Sequence, residues 1–154
     1  MEVGTRDVAR QAVARLPQMP DGDGERSGQN LGRVTYRVDI QRVYDALPVS
    51  GQAVLVDRVW PRGIKKAQLG ADTWLREIGP SDALRAWFGH RPERWDEFRR
   101  HYRAELTRPE QQQLVEQLVE LARKGPLTLL YGARDTERNQ AVVIRELIEE
   151  QLHS

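Results

Sequence analysis

The sequence predicts an α/β fold, a compact single domain in which helices flank a mainly parallel sheet of about four strands. The chain has 154 residues, a length typical of one domain. Two short and largely apolar runs, Ala53–Val56 and Leu127–Tyr131, are typical of strands buried on both faces. Segments with the period of a helix alternate with such runs, and this alternation favours parallel pairing of the strands.

Residues 1–32 are predicted to be a disordered or partly helical extension of the domain, which is assigned to residues 33–154. The stretch Pro17–Gly32 contains two prolines and four glycines without an apolar period, as is typical of linkers. Residues 5–16 have the pattern of a short amphipathic helix. The first twelve residues lack the apolar segment of a secretory signal, so a cytoplasmic location is expected.

Four segments are predicted to be strands. Apolar and polar residues alternate over Val34–Ile40, which indicates a half-buried strand. Ala53–Val56 and Leu127–Tyr131 are predicted to be the buried strands of the sheet. Thr73–Ile78 also alternates and is predicted to be a strand, although its pattern is ambiguous.

Helices are predicted between and after these strands. Ser81 is a candidate N-cap for Asp82–Phe88, and Pro92–Leu106 carries aromatic residues at helical spacing. Thr107–Glu110 matches a capping box with an early proline, which predicts a helix that ends before a Gly-Pro pair. The last helix is predicted over Thr136–Leu152.

Composition excludes several classes of protein. The 24 lysines and arginines nearly balance 23 aspartates and glutamates, so the net charge of +1 gives no general attraction to nucleic acid or anionic membranes. Cysteine is absent, which excludes disulfides, thiolate metal ligands and a cysteine nucleophile. The longest apolar run is four residues, far short of the roughly 20 that a membrane span needs. We therefore expect a soluble protein, and the sequence identifies no metal site and no cofactor.

The most distinctive segment directly follows the second predicted strand. From Arg58 to Ala71 the chain carries four positive charges and no negative charge, and a proline and a glycine favour a defined loop. Guanidinium groups on such a loop can bind phosphate or carboxylate through paired hydrogen bonds. In the alternative, the loop is structural, with Arg58 paired to Asp57 or Glu77 and Trp60 packed in the core.

Two further loops follow predicted strands. Ser81 either caps the next helix or helps to bind an anion at the N-terminus of that helix. After the last strand, Asp135 is either an N-cap or a proton-transfer group, and Asn139 lies about one helical turn beyond it. His90, between a glycine and an arginine, is either a general acid or base or a helix cap.

The carboxyl ends of parallel strands meet at one edge of a sheet, where ligands bind in open α/β folds. The loops are therefore predicted to form one site. Its candidate catalytic residues are Asp57, His90 and Asp135. Its candidate ligand-binding residues are Arg58, Trp60, Arg62, Lys65, Ser81, Tyr131 and Asn139.

Two sequence strings carry a family resemblance. They are D-R-V-W-P-R-G at Asp57–Gly63 and W-F-G-H at Trp87–His90, and they are supported by L-T-L-L-Y at Leu127–Tyr131. Over about Val34–Leu147 the chain resembles the YeaO-like proteins, the domain-of-unknown-function family numbered 488. The resemblance implies a compact α/β fold and supplies no reaction. Where relatives often have histidine, this chain has Gln140.

Three functions remain open at this point, and whether the protein is an enzyme is one of the open questions. The first is an enzyme or binder of a small anionic ligand that carries phosphate or carboxylate. The second is a nucleic-acid-binding or nucleic-acid-processing module, favoured weakly by the six arginines and four acids of Arg91–Arg108. The third is a non-catalytic interaction protein. Basic residues gathered in a pocket favour the first function, whereas a flat basic face favours the second. The sequence leaves the oligomeric state undetermined.

Overall fold

A computed structural model describes residues 35–45, 51–71 and 73–153 of the chain. It confirms the α/β class, with four strands: β1 (Val38–Arg42), β2 (Gln52–Leu55), β3 (Thr73–Trp74) and β4 (Leu127–Tyr131). These strands form a parallel sheet in the order β1-β4-β2-β3. The predicted extension, residues 1–32, and the predicted start of the first strand at Val34 lie outside the described residues.

Five α-helices accompany the sheet in the described part of the chain. They are α1 (Lys66–Leu69), α2 (Asp82–Phe88), α3 (Trp95–Glu105), α4 (Pro109–Lys124) and α5 (Gln140–Leu152). Two short 3₁₀ turns, Arg76–Ile78 and Pro92–Arg94, precede α2 and α3. None of the helices within the described ranges has both the length and the apolar content that a membrane span requires.

Both faces of the sheet are covered, which explains the apolar runs of the two central strands. Alternate side chains of β2 and β4 point to opposite faces. One set joins the main core with the helices and includes Val54, Leu127, Leu129 and Tyr131. The other set, Ala53, Leu55 and Leu130, forms a smaller cluster with residues of the surrounding loops and of α1.

Aromatic residues build the part of the core that lies against α2 and α3. Phe98 is only 2% exposed and stacks on Phe88 with 4.4 Å between ring centroids. Trp87 and Trp95 are half-buried and pack against the same cluster. The buried Tyr102 satisfies its hydroxyl by donating to the carbonyl of Ile78 at 2.6 Å.

The third predicted strand is shorter in the structure. Only Thr73–Trp74 pairs with β2, and the backbone N–H of Leu75 makes the last contact, to the carbonyl of Leu55 at 2.9 Å. Since β2 ends there, the chain turns into a 3₁₀ helix that buries Ile78 in the core. The first strand also differs, because its pairing with β4 runs from Val38 to Arg42 and follows the length of that neighbour.

One predicted cap is confirmed, one predicted capping box does not form, and the last helix begins later than predicted. Ser81 caps α2 by accepting a hydrogen bond from the N–H of Leu84 at 3.2 Å. The predicted capping box at α4 does not form, because the hydroxyl of Thr107 donates to the carbonyl of Ala104 at 2.6 Å instead. The last helix begins at Gln140 rather than Thr136, since the preceding residues form a turn.

Candidate functional site

A cleft of about 560 Å³ opens where β2 and β4 end. Of the predicted site residues, six line it: Asp57, Arg58, Trp60, Arg62, His90 and Asn139. The other four, Lys65, Ser81, Tyr131 and Asp135, are not among its described lining residues. The structure therefore brings the loop after β2 and the segment after β4 together, as the parallel sheet predicts.

Asp57 lines the cleft and joins the loop after β2 to β3 and to the segment that follows β4. Its Oδ2 accepts a hydrogen bond from the backbone N–H of Gly132 at 2.9 Å, and its Oδ1 accepts one from the side-chain amide of Gln140. Its backbone carbonyl accepts a hydrogen bond from the indole of Trp74 at 2.6 Å. A Cβ at Gly132 would lie 2.9 Å from Asp57 Oδ2, so any side chain at this position would displace the carboxylate.

The environment of Asp57 changes its acidity. Burial raises the pKa of its carboxyl group from 3.8 to about 7, because removal of water disfavours the charged form. The N–H of Gly132 and the guanidinium of Arg85 lower the pKa, but their effect is smaller than that of burial. Asp57 therefore changes its charge near neutral pH, which no pattern in the sequence indicates.

Arg58 binds the protein itself. Its Nε donates to the carbonyl of Pro80 at 2.8 Å, and one terminal nitrogen donates to the carbonyl of Gly79 at 2.9 Å. The other terminal nitrogen lies 3.6 Å from the carboxylate of Glu77, one of the two acids that the structural alternative names. A Cβ at Gly79 would lie 2.9 Å from the backbone nitrogen of Arg58, so the two loops are in direct contact. Arg58 thereby fixes the turn before α2 as one wall of the cleft.

Ser81 has a second partner besides the N-terminus of α2. Its hydroxyl donates to one carboxylate oxygen of Glu105 at 2.6 Å, and its backbone N–H donates to the other at 3.0 Å. This contact ties the turn to the last residue of α3. Sequence reasoning missed Glu105, because only the packing of α3 brings it to the turn.

Arg62 also lines the cleft and is exposed. Its backbone carbonyl accepts a hydrogen bond from the hydroxyl of Tyr44 at 2.7 Å, which holds the loop. Within the described residues, its guanidinium group has no hydrogen-bond or ion-pair partner. Trp60 on the same loop donates to the carbonyl of Ile64 at 2.7 Å and packs edge-on against Trp74. Lys65 is exposed beside α1.

His90 lies at the rim of the cleft, where the chain leaves α2. It follows Gly89, and both residues have left-handed backbone conformations, with φ of 58° and 52°. That conformation is uncommon for histidine and turns the chain sharply after the helix. The imidazole ring is exposed, with its centroid 6.2 Å from that of Phe88.

The segment after β4 places Asn139, rather than Asp135, at the N-terminus of α5. Asn139 is buried, accepts from the N–H of Val142 at 3.2 Å and donates to the carbonyl of Asp135 at 2.8 Å. Asp135 instead accepts hydrogen bonds from the backbone N–H groups of Glu137 and Arg138, which lower its pKa. The predicted cap at Asp135 is therefore wrong, because its carboxylate closes a turn.

Tyr131 belongs to the core. Its side chain is buried, and this burial raises the pKa of its hydroxyl. The structure also brings Gly132 and Gln140 into the lining of the cleft, and it adds two arginines that the sequence analysis did not consider, Arg85 and Arg138. Arg85 and Arg138 each form an ion pair with the acid three residues earlier, Asp82 at 3.0 Å and Asp135 at 3.1 Å. Arginines are common in this chain, so no local signal distinguishes these two.

The arginines of α3 are largely directed at α5 rather than at solvent. Arg99 binds the carboxylate of Glu146 at 2.8 Å, and Arg103 binds Glu146 at 3.1 Å and Glu150 at 2.8 Å. Just before α3, Arg94 lies over the ring of Trp87 at 5.0 Å. Three of the six arginines of this segment therefore contact the protein itself, which weakens the expected basic face.

The fold and the cleft define a parallel α/β domain with an arginine-lined site at the carboxyl ends of its central strands. A family model described as "Inactive DUF488-N3 subclade" matches residues 37–154. The chain therefore belongs to the DUF488 family, as the resemblance of its sequence strings predicts.

Two curated bacterial proteins are similar to this chain. "Uncharacterized protein YeaO" of Escherichia coli (strain K12) is 44% identical over 110 residues, which cover 71% of this chain and 94% of that protein. "Uncharacterized protein Rv3073c" of Mycobacterium tuberculosis (strain ATCC 25618 / H37Rv) is 37% identical over 113 residues, or 73% of this chain and 93% of that protein. No solved structure matches the chain.

Proposed function

We propose that this protein binds a small anionic ligand, bearing phosphate or carboxylate, in the cleft at the ends of β2 and β4. One observation carries the proposal. The described residues that line the cleft include four arginines and two aspartates, so its charge is positive. The arginines are Arg58, Arg62, Arg85 and Arg138.

The lining of the cleft favours strong interactions with an anion. Trp60, Phe88 and Phe98 contribute apolar surface beside the arginines. An apolar, concave surface excludes water and strengthens electrostatic attraction. The guanidinium group presents a planar fork of donors that matches phosphate and carboxylate oxygens.

We assign different roles to the two arginines of the loop after β2. Arg62 contacts the ligand, together with Arg85 and Arg138, because its guanidinium group has no partner within the described residues. Arg58 positions the wall, because its donors are directed at two backbone carbonyls. Ser81 and Asn139 act in the same indirect way, by fixing the N-termini of the helices beside the cleft.

Binding without turnover is the function that we favour over catalysis. The side-chain partner of Asp57 is the amide of Gln140. An amide donates a hydrogen bond but does not ionise near neutral pH, so it cannot transfer a proton to or from Asp57. The description of the matching family model as an inactive subclade agrees with a binding role. On the basis of the sequence, we also propose that the protein is cytoplasmic and that its domain spans residues 33–154.

The alternative function, nucleic-acid binding, has less support. Its strongest sequence feature was the arginine-rich segment around α3, and Arg99 and Arg103 of that segment are held in ion pairs with α5. A concave site of about 560 Å³ is of the size that small molecules occupy.

Thermal unfolding in the presence of inorganic phosphate tests the proposal. Phosphate should raise the melting temperature of the wild type, since a ligand at 100 times its Kd stabilises by about 2.7 kcal/mol. Arg62→Ala should remove most of this shift. Arg100→Ala, at an exposed position of α3 outside the described lining, is the matched control and should keep it. Equal shifts in all three proteins would reduce the phosphate effect to a general salt effect and contradict the proposal.

A further inference from the structure

Asp57 has unused hydrogen-bonding capacity in the cleft. A carboxylate offers about four lone-pair sites on its two oxygens. The N–H of Gly132 and the amide of Gln140 provide one donor to each oxygen. Because the residue also lines the cleft, the remaining acceptor capacity is available to a bound molecule.

The negative charge of Asp57 is weakly compensated by the protein. The guanidinium that acts on it, that of Arg85, also binds the carboxylate of Asp82 at 3.0 Å. Arg58, the next residue in the chain, directs its donors to the carbonyls of Gly79 and Pro80. A buried carboxylate in such a position gains most from a cation brought close to it.

We infer that the ligand is zwitterionic, with an amino group that binds the Asp57 carboxylate and an anionic group that binds the arginines of the same cleft. The inference rests on the proposed anion binding and assigns to the ligand a positively charged group in addition to its anionic group. An ammonium group supplies three donors and a positive charge, so it satisfies both the free acceptor sites and the charge of Asp57.

This pairing is coupled to the protonation of Asp57. Burial raises the pKa of this carboxyl group to about 7, and a bound ammonium would lower it, so binding near neutral pH releases a proton to the buffer. The charged or titratable groups that share the cleft with Asp57 are Tyr44, Arg58, Arg62, Asp82, Arg85, His90 and Arg138. His90 is the one histidine among these described lining residues, so a substitution of His90 serves as the control.

Three probes of similar size test the inference by titration calorimetry at pH 8. Ethyl phosphate ends in a methyl group, 2-hydroxyethyl phosphate ends in a neutral hydroxyl group, and phosphoethanolamine ends in a positively charged ammonium group. We expect phosphoethanolamine to bind at least about tenfold more tightly than the other two, given the strength of charged hydrogen bonds. In Asp57→Asn the three affinities should become equal, whereas His90→Gln should keep the preference.

The outcomes separate this inference from the proposed function. If none of the probes binds, anion binding itself is wrong. If the three bind equally well to the wild type, or if the hydroxyl probe matches the amine, the anion site stands and the zwitterion is wrong. If Asp57→Asn does not fold, the same titrations are made on the wild type between pH 5.5 and 8. The preference for phosphoethanolamine should then increase with pH as Asp57 ionises. A preference that does not change with pH would overturn the inference.

Discussion

The two sides of the cleft differ in how their side chains are held. On the inner wall, Asp57 and Arg58 bind backbone groups of two other segments, and Tyr102 and Glu105 bind the turn before α2. The outer rim consists of exposed side chains with few contacts, namely Val59, Arg62, Arg85 and His90. Arg58 and Arg62 are four residues apart and chemically identical, yet one is part of the scaffold and the other faces solvent.

The difference shows that an arginine on a binding loop is not evidence of ligand contact by itself. A guanidinium group that already donates to backbone carbonyls, as that of Arg58 does, has little capacity left for an anion. The exposed Arg62 retains that capacity and has no protein contact to lose within the described residues. We therefore expect substitution of Arg58 to affect stability and substitution of Arg62 to affect binding.

The largest effect should be the pH dependence that Asp57 causes. Its pKa is about 7 in the folded protein and near 3.8 in the unfolded chain, so the folded state binds the proton more tightly. The free energy of unfolding should therefore fall as pH rises from about 4 through 7, by up to about 4 kcal/mol from this group. Denaturant unfolding of the wild type and Asp57→Asn across this range measures it.

The asparagine variant lacks this titration, so the difference between the two proteins should change with pH and level off above pH 8. Asp135 serves as an internal contrast. Its pKa is lowered, so its contribution to stability is present above the ordinary pKa and is lost only in stronger acid. Parallel curves for the wild type and Asp57→Asn between pH 5 and 8 would show that burial does not control the acidity of Asp57.

Arg58→Ala should be the most destabilising substitution of an arginine in the cleft. It removes two charge-assisted hydrogen bonds to the turn before α2 and leaves the carbonyls of Gly79 and Pro80 without these donors. We expect a loss of about 3 kcal/mol in urea unfolding. The same substitution at Arg62 is the matched control, and equal losses at the two positions would remove the distinction between wall and rim.

Glu105→Gln should have an intermediate effect. The substitution keeps the shape of the side chain but turns one acceptor oxygen into a donor that faces the N–H or hydroxyl of Ser81. A loss of about 2 kcal/mol is expected from the unsatisfied group. Glu97→Gln, at an exposed position on the same helix, should change stability little. If Glu105→Gln is equally harmless, the contact between α3 and the turn does not stabilise the wall.

Arg62→Ala should have the smallest effect on stability and a clear effect on binding. Its exposed guanidinium group lacks a partner in the described residues, so the free energy of unfolding should stay within about 0.5 kcal/mol of the wild type. The affinity for ethyl phosphate should fall. A large loss of stability together with unchanged affinity would assign Arg62 to the scaffold and contradict its role as a ligand contact.

The sequence predicts the sheet well because its signals are local. The apolar run Leu127–Tyr131 is the observed strand β4 to the residue, and Ser81 caps α2 as its position suggests. Where a local pattern predicts the wrong structure, a residue or strand far away in the sequence determines the structure instead. The alternation over Thr73–Ile78 continues beyond the end of β2, so the chain has nothing further to pair with and forms a 3₁₀ turn.

The candidate site is predictable in outline but not in its contacts. The rule that ligands bind at strand ends brings Asp57 and the segment after β4 together from the sequence alone. The pairing of Asp57 with Gln140, the clamp that Arg58 makes on Gly79 and Pro80, and the contribution of Glu105 depend on side-chain directions. Such directions are set by tertiary packing, and no spacing in the chain encodes them.

The strand order has a consequence for biosynthesis. β4 lies between β1 and β2, so in the described part of the chain the two early strands have no direct pairing with each other. While α4 is being synthesised, the N–H and C=O groups of β1 and β2 that later bind β4 therefore have no neighbouring strand with which to pair. Pairing must await Leu127–Tyr131, a contact of long sequence separation that slows folding. Truncation before this strand should leave a product that aggregates or is degraded, whereas loss of residues after α5 should be tolerated better.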